Sequence, residues 1–391
     1  GAYHEDRRQY KTSEPMMNWH ADNDDYLINR TPVASVGIVW SHENIDYYGK
    51  ETPEESAIWP HEGFVQAMIH GRIPYIPIHA DHIKRDSDKV SLLILPNLAA
   101  MSDEQIDAVK QFVENGGSLV ASGETSLYDE WGVKRQDFGL AEILGVRHDG
   151  GYEGNTKISA ATWEVYDHHS YMRLHPRRGE SFYGPQIGNE VDLTSERHGI
   201  LEGFEDTDIL PFGGRIENIK VIEDTCVPLS YIPEFPIFPP EFSWMREHDT
   251  GKPIAVVREH FQGGKIVYLP ADIDRCFRRD NFPDHGNMLV NVIRWASNEK
   301  IPCSVSGPGL IDCQIYEQEG RRILHMVNLT GTTQEPLHEI IPVGPFSVRV
   351  RGTGKVRSLV TSATVKSEES DGWVQFDVPS IKLHEVFVIE P

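Results

Sequence analysis

The sequence has 391 residues, enough for two or three domains with hydrophobic cores, and 39% of them are hydrophobic. Its formal net charge of −23 argues against binding to nucleic acid or to an anionic membrane surface, because the phosphates of either would be repelled. The sequence has no apolar run of the roughly 18 residues that a membrane span needs. The start of the sequence lacks the apolar segment of a signal peptide. We therefore expect a globular, cytoplasmic protein that acts on neutral or cationic small molecules, although acidity also serves solubility alone.

The four cysteines are far apart and form no CxxC pair. A structural zinc site normally needs such pairs, so none is expected. The spacing of Cys226, Cys276, Cys303 and Cys313 also gives no disulfide framework. Cys303 and Cys313 are the one close pair, and we expect free, buried thiols there rather than two cysteines that face each other across a hairpin. We predict no metal and no cofactor.

Residues 1–32 are polar and do not resemble the start of a fold, so we assign them to a connecting segment. Within it, SEPMMNWHADNDDYLINR (13–30) predicts a helix, with Ser13 as its cap and Pro15 in its first turn. The sequence begins at Gly1 without an initiator methionine, and we expect that it is a fragment of a longer protein.

From residue 33 to about residue 300, short apolar runs alternate with amphipathic segments. Parallel neighbouring strands need crossover connections, so this alternation predicts an α/β domain with a doubly wound parallel sheet. The clearest helix begins after Ser102, where Gln105 completes a capping box, and ends at Gly116. The predicted strands cover 34–41, 73–82, 90–98 and 118–123, and the predicted helices cover 54–72 and 102–117.

The later part of this domain, from about residue 145, is less regular. Its predicted elements are strand pieces within 162–175 and 216–224, a hairpin of strands 253–260 and 265–269, and a closing helix at 287–299. From about residue 301 to residue 391 the sequence pattern changes to short strands of alternating hydrophobicity, separated by Gly, Asp and Ser turns. This pattern predicts a small all-β sandwich.

Polar and aromatic side chains follow three of the predicted parallel strands. In an open parallel sheet, ligands bind outside the carboxyl ends of the strands, so these residues share one rim. Aromatic faces and carboxylates together suit a sugar-binding surface or an interface, whereas the alternative is that they are ordinary polar loop tips. The candidate rim residues are His42, Glu43, Asp46 and Tyr48 after the first strand, His79, Asp81 and His82 after the second, and Glu124, Tyr128, Asp129 and Trp131 after the fourth.

The strand-to-turn segment GSLVASGETSLYDEWG (117–132) is built like one that carries a catalytic nucleophile. Such an elbow needs Ser or Cys at its tip, with Gly two residues before and after it. Here the tip is Glu124 or Thr125, and no Gly closes the turn. The segment therefore predicts a retained scaffold without a catalytic nucleophile. His79 and His82 are spaced to bind one metal, but the sequence fixes no third ligand.

The order of elements and several segments resemble the β-galactosidase trimerisation domain. That domain has the class I glutamine amidotransferase-like fold, which is flavodoxin-like. It accompanies the catalytic barrel of family 42 glycoside hydrolases and related glycosidases. The segment that follows is similar to the small C-terminal β domain of the same enzymes. The segments that carry the resemblance are VGIVWSHENIDYYG, GRIPYIPIHADHI, LLILPNLAAMSDEQIDAVKQFVENGGSLVASGETSLYDEWG, HGILEGF and GGKIVYLPADIDR.

This resemblance implies that the amidotransferase cysteine is absent, so glutaminase activity is not expected. It implies a homo-oligomer, a dimer or a trimer, whose α/β domain can border a neighbour's active-site mouth. It also implies that the two carboxylates that cleave a neutral carbohydrate substrate lie on a (β/α)8 barrel of about 200 residues or more, for which this sequence has no room. Residues 1–32, with YHEDRR (3–8), are then the end of that barrel and its connection.

Three hypotheses remain open at this point. The first is the accessory and oligomerisation portion of a glycoside hydrolase, which is not catalytic without its barrel. The second is a freestanding hydrolase of the amidotransferase-like class that uses Glu124, Asp129 or the histidines of 79–82. The third is a carbohydrate-binding module in the sandwich, which requires a row of exposed aromatic side chains. The sandwich has only a few candidates for that row, namely Tyr316, Phe346, Trp373 and Phe376.

Overall fold

A computed structural model describes residues 7–154, 168–179, 191–222, 224–260, 262–298, 300–331 and 339–391. Four predicted features lie partly outside these ranges, namely the barrel remnant at 3–8, the strand pieces at 162–175 and 216–224, and the closing helix at 287–299. The chain divides into two compact units. The α/β unit comprises residues 35–71 and 75–301, and the β unit comprises residues 1–34, 72–74 and 302–391.

The α-helices of the described residues are α1 (Arg8–Asp22), α2 (Asp24–Leu27), α3 (Trp59–Gly71), α4 (Ile83–Asp86), α5 (Asp103–Glu114), α6 (Ala141–Leu144), α7 (Ile273–Asp280) and α8 (Pro283–Ala296). The strands of the α/β unit are β2 (Val36–Trp40), β3 (Tyr75–His79), β4 (Leu92–Leu95), β5 (Ser118–Ser122), β6 (Val146–Gly154), β7 (His168–Leu174), β8 (Ile209–Pro211), β9 (Arg215–Val221), β10 (Cys226–Pro236), β11 (Pro253–Glu259) and β12 (Lys265–Leu269). The strands of the β unit are β1 (Thr31–Pro32), β13 (Cys303–Ser306), β14 (Ile311–Gln318), β15 (Arg321–Asn328), β16 (Phe346–Arg351), β17 (Lys355–Ser358), β18 (Thr364–Val365), β19 (Ser367–Ser370), β20 (Trp373–Val378) and β21 (His384–Glu390).

A nine-stranded mixed sheet forms the centre of the α/β unit, in the order β3-β2-β4-β5-β12-β11-β10-β7-β8. The five strands from β3 to β12 pair in parallel, as the alternation of strands and helices predicts. The strands from β11 to β8 extend this sheet with antiparallel pairs, and β11 with β12 is the predicted hairpin. The observed fold is therefore mixed α/β with several sheets, and the flavodoxin-like, doubly wound topology remains a prediction.

The central strands and their helices follow the local sequence signals closely. Every residue of β4 and β5 is buried, which is typical of parallel strands covered on both faces. The predicted capping box of α5 is confirmed, because the Ser102 hydroxyl accepts from the Gln105 backbone N–H and the Gln105 side chain accepts from that of Ser102. Helix α8 begins at Pro283, four residues before the predicted start, because proline fits the first turn of a helix, where its missing N–H has no partner to lose.

One segment of the α/β unit pairs outside the large sheet. The strand predicted within 216–224 is β9, and it pairs with β6 in a two-stranded antiparallel ribbon. A single bridge between Ile216 and Ala271 connects this ribbon to the loop that follows β12. The ribbon therefore lies beside the carboxyl end of one of the parallel strands.

The β unit contains the predicted sandwich. Its two sheets have the orders β1-β14-β15-β21-β17-β18 and β13-β16-β20-β19. Alternate residues of these strands form a shared core that includes Phe346, Val348 and Phe376, each 3% exposed or less. Tyr316 and Trp373 are half-buried, and the guanidinium groups of arginines lie over both rings. These four aromatic side chains therefore do not form the exposed row that a binding module in the sandwich requires.

The predicted N-terminal helix exists, but its predicted start is wrong. Helix α1 begins at Arg8, Ser13 lies inside it with its hydroxyl donating to Tyr10 O, and Pro15 is also internal. No helix-breaking residue lies between Arg8 and Ser13, so the helix extends backwards at the cost of one backbone hydrogen bond at the proline. After α1, β1 pairs with β14 and becomes an edge of the sandwich.

Within the part of the chain that the structure describes, no helix combines the length and the apolar character needed to cross a bilayer.

Candidate functional site

The elbow is the turn that follows β5, from Gly123 to Ser126. Gly123 has a φ of +55°, and a Cβ atom at this position would collide with the side-chain amide of Asn97. Glycine therefore fits this position for both its backbone conformation and its lack of a side chain. Thr125 is buried, and its hydroxyl donates to Ser122 O at 2.7 Å inside the turn. Glu124 is the residue of this turn whose side chain reaches charged groups.

Four side chains donate hydrogen bonds to the Glu124 carboxylate. Its Oε2 atom accepts from Tyr48 Oη at 2.7 Å and from Arg215 Nη2 at 2.7 Å. Its Oε1 atom accepts from Tyr128 Oη at 3.2 Å and from Lys134 Nζ at 3.3 Å. Only 7% of the Glu124 side chain is exposed, so these bonds are largely shielded from water. The carboxylate is held on both of its oxygen atoms.

Asn97, which follows β4, holds several parts of this site together by hydrogen bonds. Its Oδ1 atom accepts from the Glu124 backbone N–H at 2.8 Å, and its Nδ2 atom donates to Tyr48 Oη at 3.2 Å and to Ser56 O at 2.7 Å. Its own backbone N–H donates to Ser122 Oγ at 2.9 Å. One amide side chain therefore fixes the turn after β5 against the segment after β2.

Glu124 and its neighbour Glu217 have pKa values shifted in opposite directions. Burial raises the pKa of Glu124, but the charge of Arg215 and the hydrogen bond from Tyr48 outweigh it, so the pKa lies below its usual value. Burial raises the pKa of Glu217 to about 7, and the charge of Glu124 acts in the same direction. Glu124 is therefore an anion at neutral pH, whereas Glu217 titrates near neutrality.

A second charged group lies at the carboxyl end of β12. Asp274 is buried and accepts from Ser122 Oγ at 2.5 Å, and burial raises its pKa to about 7. The Asp272 carboxylate accepts from Arg275 Nε at 2.6 Å and from the backbone N–H of Arg215 at 2.8 Å. This group therefore connects the end of β5, the loop after β12 and the ribbon.

Members of both groups, but not Glu124 itself, line a cavity of about 250 Å³ at the carboxyl edge of the parallel strands. The π-helical turns at Asn44–Gly49 and Glu54–Ile58, which follow β2, form one wall. The ribbon of β6 and β9 forms the other wall, and the loop after β12 contributes Asp272 and Arg275. The turns after β2, β4 and β5 and the loop after β12 thus meet at one cavity, as expected for an open parallel sheet.

The structure brings three of the predicted rim residues together, namely Tyr48, Glu124 and Tyr128. Two others, Asp129 and Trp131, lie on the next turn. The Asp129 carboxylate accepts from the backbone N–H groups of Trp131 and Val133, so it shapes the turn. The Trp131 ring, 64% exposed, lies edge-on to the ring of Tyr47, with centroids 5.4 Å apart.

The remaining predicted rim residues lie at the carboxyl ends of β2 and β3. The His42 and His79 rings both lie edge-on to Trp40, and the His79 and His82 centroids are 5.6 Å apart. Within the described ranges, no group of three or more His, Cys, Asp or Glu side chains is arranged to hold a metal ion.

The acidic residues at the carboxyl ends of β2 and β3 are either held by local hydrogen bonds or exposed. Asp81 accepts from Gln105 Nε2 at 2.8 Å, Glu43 accepts from Ser41 Oγ at 2.6 Å, and Asp46 is exposed on its turn.

Sequence reasoning missed five residues of the site. The loop after β12 could have been found, because β12 pairs in parallel with β5 and its carboxyl end therefore lies on the same rim. Arg215 and Glu217 carried no such signal, since they lie on a ribbon in the irregular part of the sequence. The missed residues are Asn97, Arg215, Glu217, Asp272 and Asp274.

No protein-family model matches the sequence, and no curated protein matches it. Solved structures of glycoside hydrolases do share its fold. α-L-Fucosidase isoenzyme 2 from Paenibacillus thiaminolyticus superposes with a TM-score of 0.71 and 18% identity, over 98% of this chain and 53% of that one. The β-galactosidase from Bacillus circulans sp. alkalophilus gives a TM-score of 0.66 and 14% identity, over 99% of this chain and 46% of that one.

A third similar structure is Gan42B, a GH42 β-galactosidase from G. stearothermophilus. It gives a TM-score of 0.56 and 15% identity, over 92% of this chain and 40% of that one. This chain therefore spans about half the length, or less, of the enzymes that it resembles. At these identities the likeness shows a shared fold, a mixed α/β domain followed by a β domain within glycoside hydrolases.

Proposed function

We propose that this chain is the accessory and oligomerisation portion of a β-galactosidase-like glycoside hydrolase, and that it supports a catalytic (β/α)8 barrel outside this chain. The observation that carries the proposal is the hydrogen bonding of the Glu124 carboxylate. This residue stands at the tip of a nucleophile-type elbow, but its carboxylate accepts four hydrogen bonds, two of them from cations.

A carboxylate held in this way is unsuited to either of the two roles in glycoside cleavage. A nucleophile needs a free oxygen aimed at the substrate, and a general acid needs a raised pKa. Both oxygen atoms of Glu124 are engaged, and its pKa is lowered by Arg215 and Tyr48 in spite of burial. The elbow therefore acts as a structural anchor for the turns around it.

Exposed apolar side chains beside the elbow support the oligomerisation part of the proposal. Trp131 is 64% exposed and Val133 is 62% exposed, and both lie on the turn that follows Tyr128. Exposed aromatic and apolar side chains grouped on one turn are typical of surfaces that another protein covers. We assign this turn to contact with another subunit.

The catalytic part of the proposal is tested by assaying the purified chain alone on aryl glycosides, aryl esters and glutamine amides. We expect no turnover above that of buffer. Turnover by the chain that is lost in Glu124→Gln would overturn the proposal in favour of a freestanding hydrolase.

The oligomeric part is tested by sedimentation of the chain at micromolar concentration. We expect a dimer or a trimer, and we expect Trp131→Glu to shift it towards the monomer. Phe238→Glu is the matched control, because Phe238 is 69% exposed on a different loop of the same unit. A chain that is strictly monomeric at this concentration would contradict the proposal.

A further inference from the structure

The cavity at the carboxyl edge of the α/β unit is built by side chains that the accessory role does not require. Its volume of about 250 Å³ lies just below that of drug-sized ligand sites, so it suits one small molecule. It lies outside the carboxyl ends of parallel strands, where open α/β sheets bind ligands. The charges and rings of its walls determine which ligand chemistry it favours.

The charges around the cavity disfavour an anionic ligand. The Arg215 guanidinium lies between Glu124 and Glu217, at 2.7 Å and 2.5 Å, and the Arg275 guanidinium donates to Asp272. Both cations are therefore already compensated by carboxylates. Since Glu55 also lines the cavity, a bound anion would meet an excess of negative charge.

The excess of acid is nevertheless small at neutral pH. Burial raises the pKa of Glu217 and that of Asp274 to about 7, so each carries only part of a charge. Protonated carboxyl groups can donate as well as accept hydrogen bonds. The lining therefore offers acceptors and donors close together, which favours a neutral ligand with several hydroxyl groups over an ammonium ion.

Aromatic rings complete the lining. Tyr152 is 57% exposed on β6, and the Arg215 guanidinium lies 4.5 Å from its ring centroid. Tyr48 lines the opposite wall, with its hydroxyl hydrogen-bonded to Glu124 and Asn97. Aromatic rings offer apolar faces on which the C–H face of a sugar ring stacks, while amides and carboxylates bind its hydroxyl groups.

We propose that this cavity binds a single neutral sugar ring. The proposal goes beyond the accessory role and is independent of it, because binding here needs neither a barrel nor an oligomer. Glu55 and Tyr152 are the side chains through which it is best tested. Both line the cavity and are exposed at its walls, and neither substitution removes a charged group of the buried pairs.

The test is titration of the purified chain with galactose, fucose, glucose and mannose, followed by NMR or calorimetry. We expect at least one of these sugars to bind, and Tyr152→Ala and Glu55→Gln each to weaken that binding by about tenfold, the loss expected for one aromatic contact or one charge-assisted hydrogen bond. The matched controls are Glu54→Gln, on the same turn but outside the lining, and Phe242→Ala, an exposed aromatic of another loop.

Three results would overturn the proposal. The first is that none of the four sugars binds at about 20 mM, which corresponds to a binding free energy of only about −2 kcal/mol. The second is binding that Tyr152→Ala and Glu55→Gln leave unchanged. The third is tighter binding of an amine, with glucosamine as the probe, than of its neutral counterpart glucose, which would assign a cation site instead. None of these results bears on the oligomeric state or on turnover, so the accessory role is tested separately.

Discussion

Arg215 links the ribbon of β6 and β9 to the elbow through Glu124. Its Nη2 atom lies 2.7 Å from Glu124 Oε2 and also 2.5 Å from Glu217 Oε1, while its backbone N–H donates to Asp272. The side chains of Glu124 and Glu217 are 7% and 3% exposed. The position of the ribbon over the cavity therefore depends on one cation placed between two buried carboxylates.

Removing this cation should destabilise the α/β unit strongly. In Arg215→Leu the two carboxylates stay buried without their shared partner, which typically costs about 3 kcal/mol of unfolding free energy. Lys134→Leu is the control, because its Nζ lies farther away, at 3.3 Å, and its side chain is 42% exposed. We expect Lys134→Leu to lower the unfolding free energy by less than about 1 kcal/mol. Denaturant-induced unfolding measures both variants, and equal losses would contradict the central role of Arg215.

The buried Asp274 carboxyl should make the stability of the chain decrease as the pH rises. Burial raises its pKa to about 7 from an ordinary value of 3.8. Between those values the unfolded chain releases the proton while the folded chain keeps it, so rising pH favours unfolding, and the loss is complete above the folded pKa.

Asp274→Asn removes this titration and keeps a side-chain oxygen that can accept from Ser122. From pH 5 to pH 8 the wild-type chain should lose about 3 kcal/mol more unfolding free energy than the variant. Asp107→Asn changes a carboxylate that is 76% exposed on α5, so it should behave as the wild type does. Denaturation at the two pH values checks this, and a wild-type loss equal to that of Asp274→Asn would refute it.

Local sequence signals predicted the central part of the fold because each of them depends only on residues close together in the sequence. The capping box at Ser102 and Gln105 and the apolar runs of β4 and β5 each specify structure over a few residues. The start of α1 could not be predicted this way, because Ser13 and Pro15 are compatible with a first turn as well as with a helix interior. The separate pairing of β9 with β6 depends on contacts between distant residues, which no local pattern encodes.

The site was predictable only where the parallel-strand rule applied. Tyr48, Glu124 and Tyr128 follow predicted strands, and the structure brings them together. Arg215 comes from a ribbon that crosses the rim from another part of the chain, so its proximity to Glu124 is a tertiary fact. The sequence pattern therefore could not predict that Arg215 is the cation that pairs with Glu124 in the elbow.

Helix α3 packs so closely on α7 that Gly63 has no room for a side chain. A Cβ atom at this position would overlap the backbone carbonyl of Asp274, which cannot move without shifting the start of α7. Gly63→Ala should therefore cost about 2 kcal/mol or more of unfolding free energy. Gly263→Ala is the control, because its φ is +86° but nothing lies within 4 Å, so only backbone strain of about 1 kcal/mol is expected. Equal losses would show that α3 and α7 can separate freely.

The N-terminal helix should contribute to the stability of the β unit through Trp19. This side chain packs against the buried cluster that includes Leu359 and Val386, its indole N–H donates to Leu359 O at 3.4 Å, and its ring lies edge-on to His384. Because Trp19 is only partly buried, Trp19→Ala should cost about 2 kcal/mol, at the low end for a large aromatic residue. Met17→Ala lies on the same helix and is 67% exposed, so its effect should stay within about 0.5 kcal/mol. Denaturation of both variants decides the matter, and a Trp19→Ala variant as stable as the wild type would show that α1 does not support the sandwich.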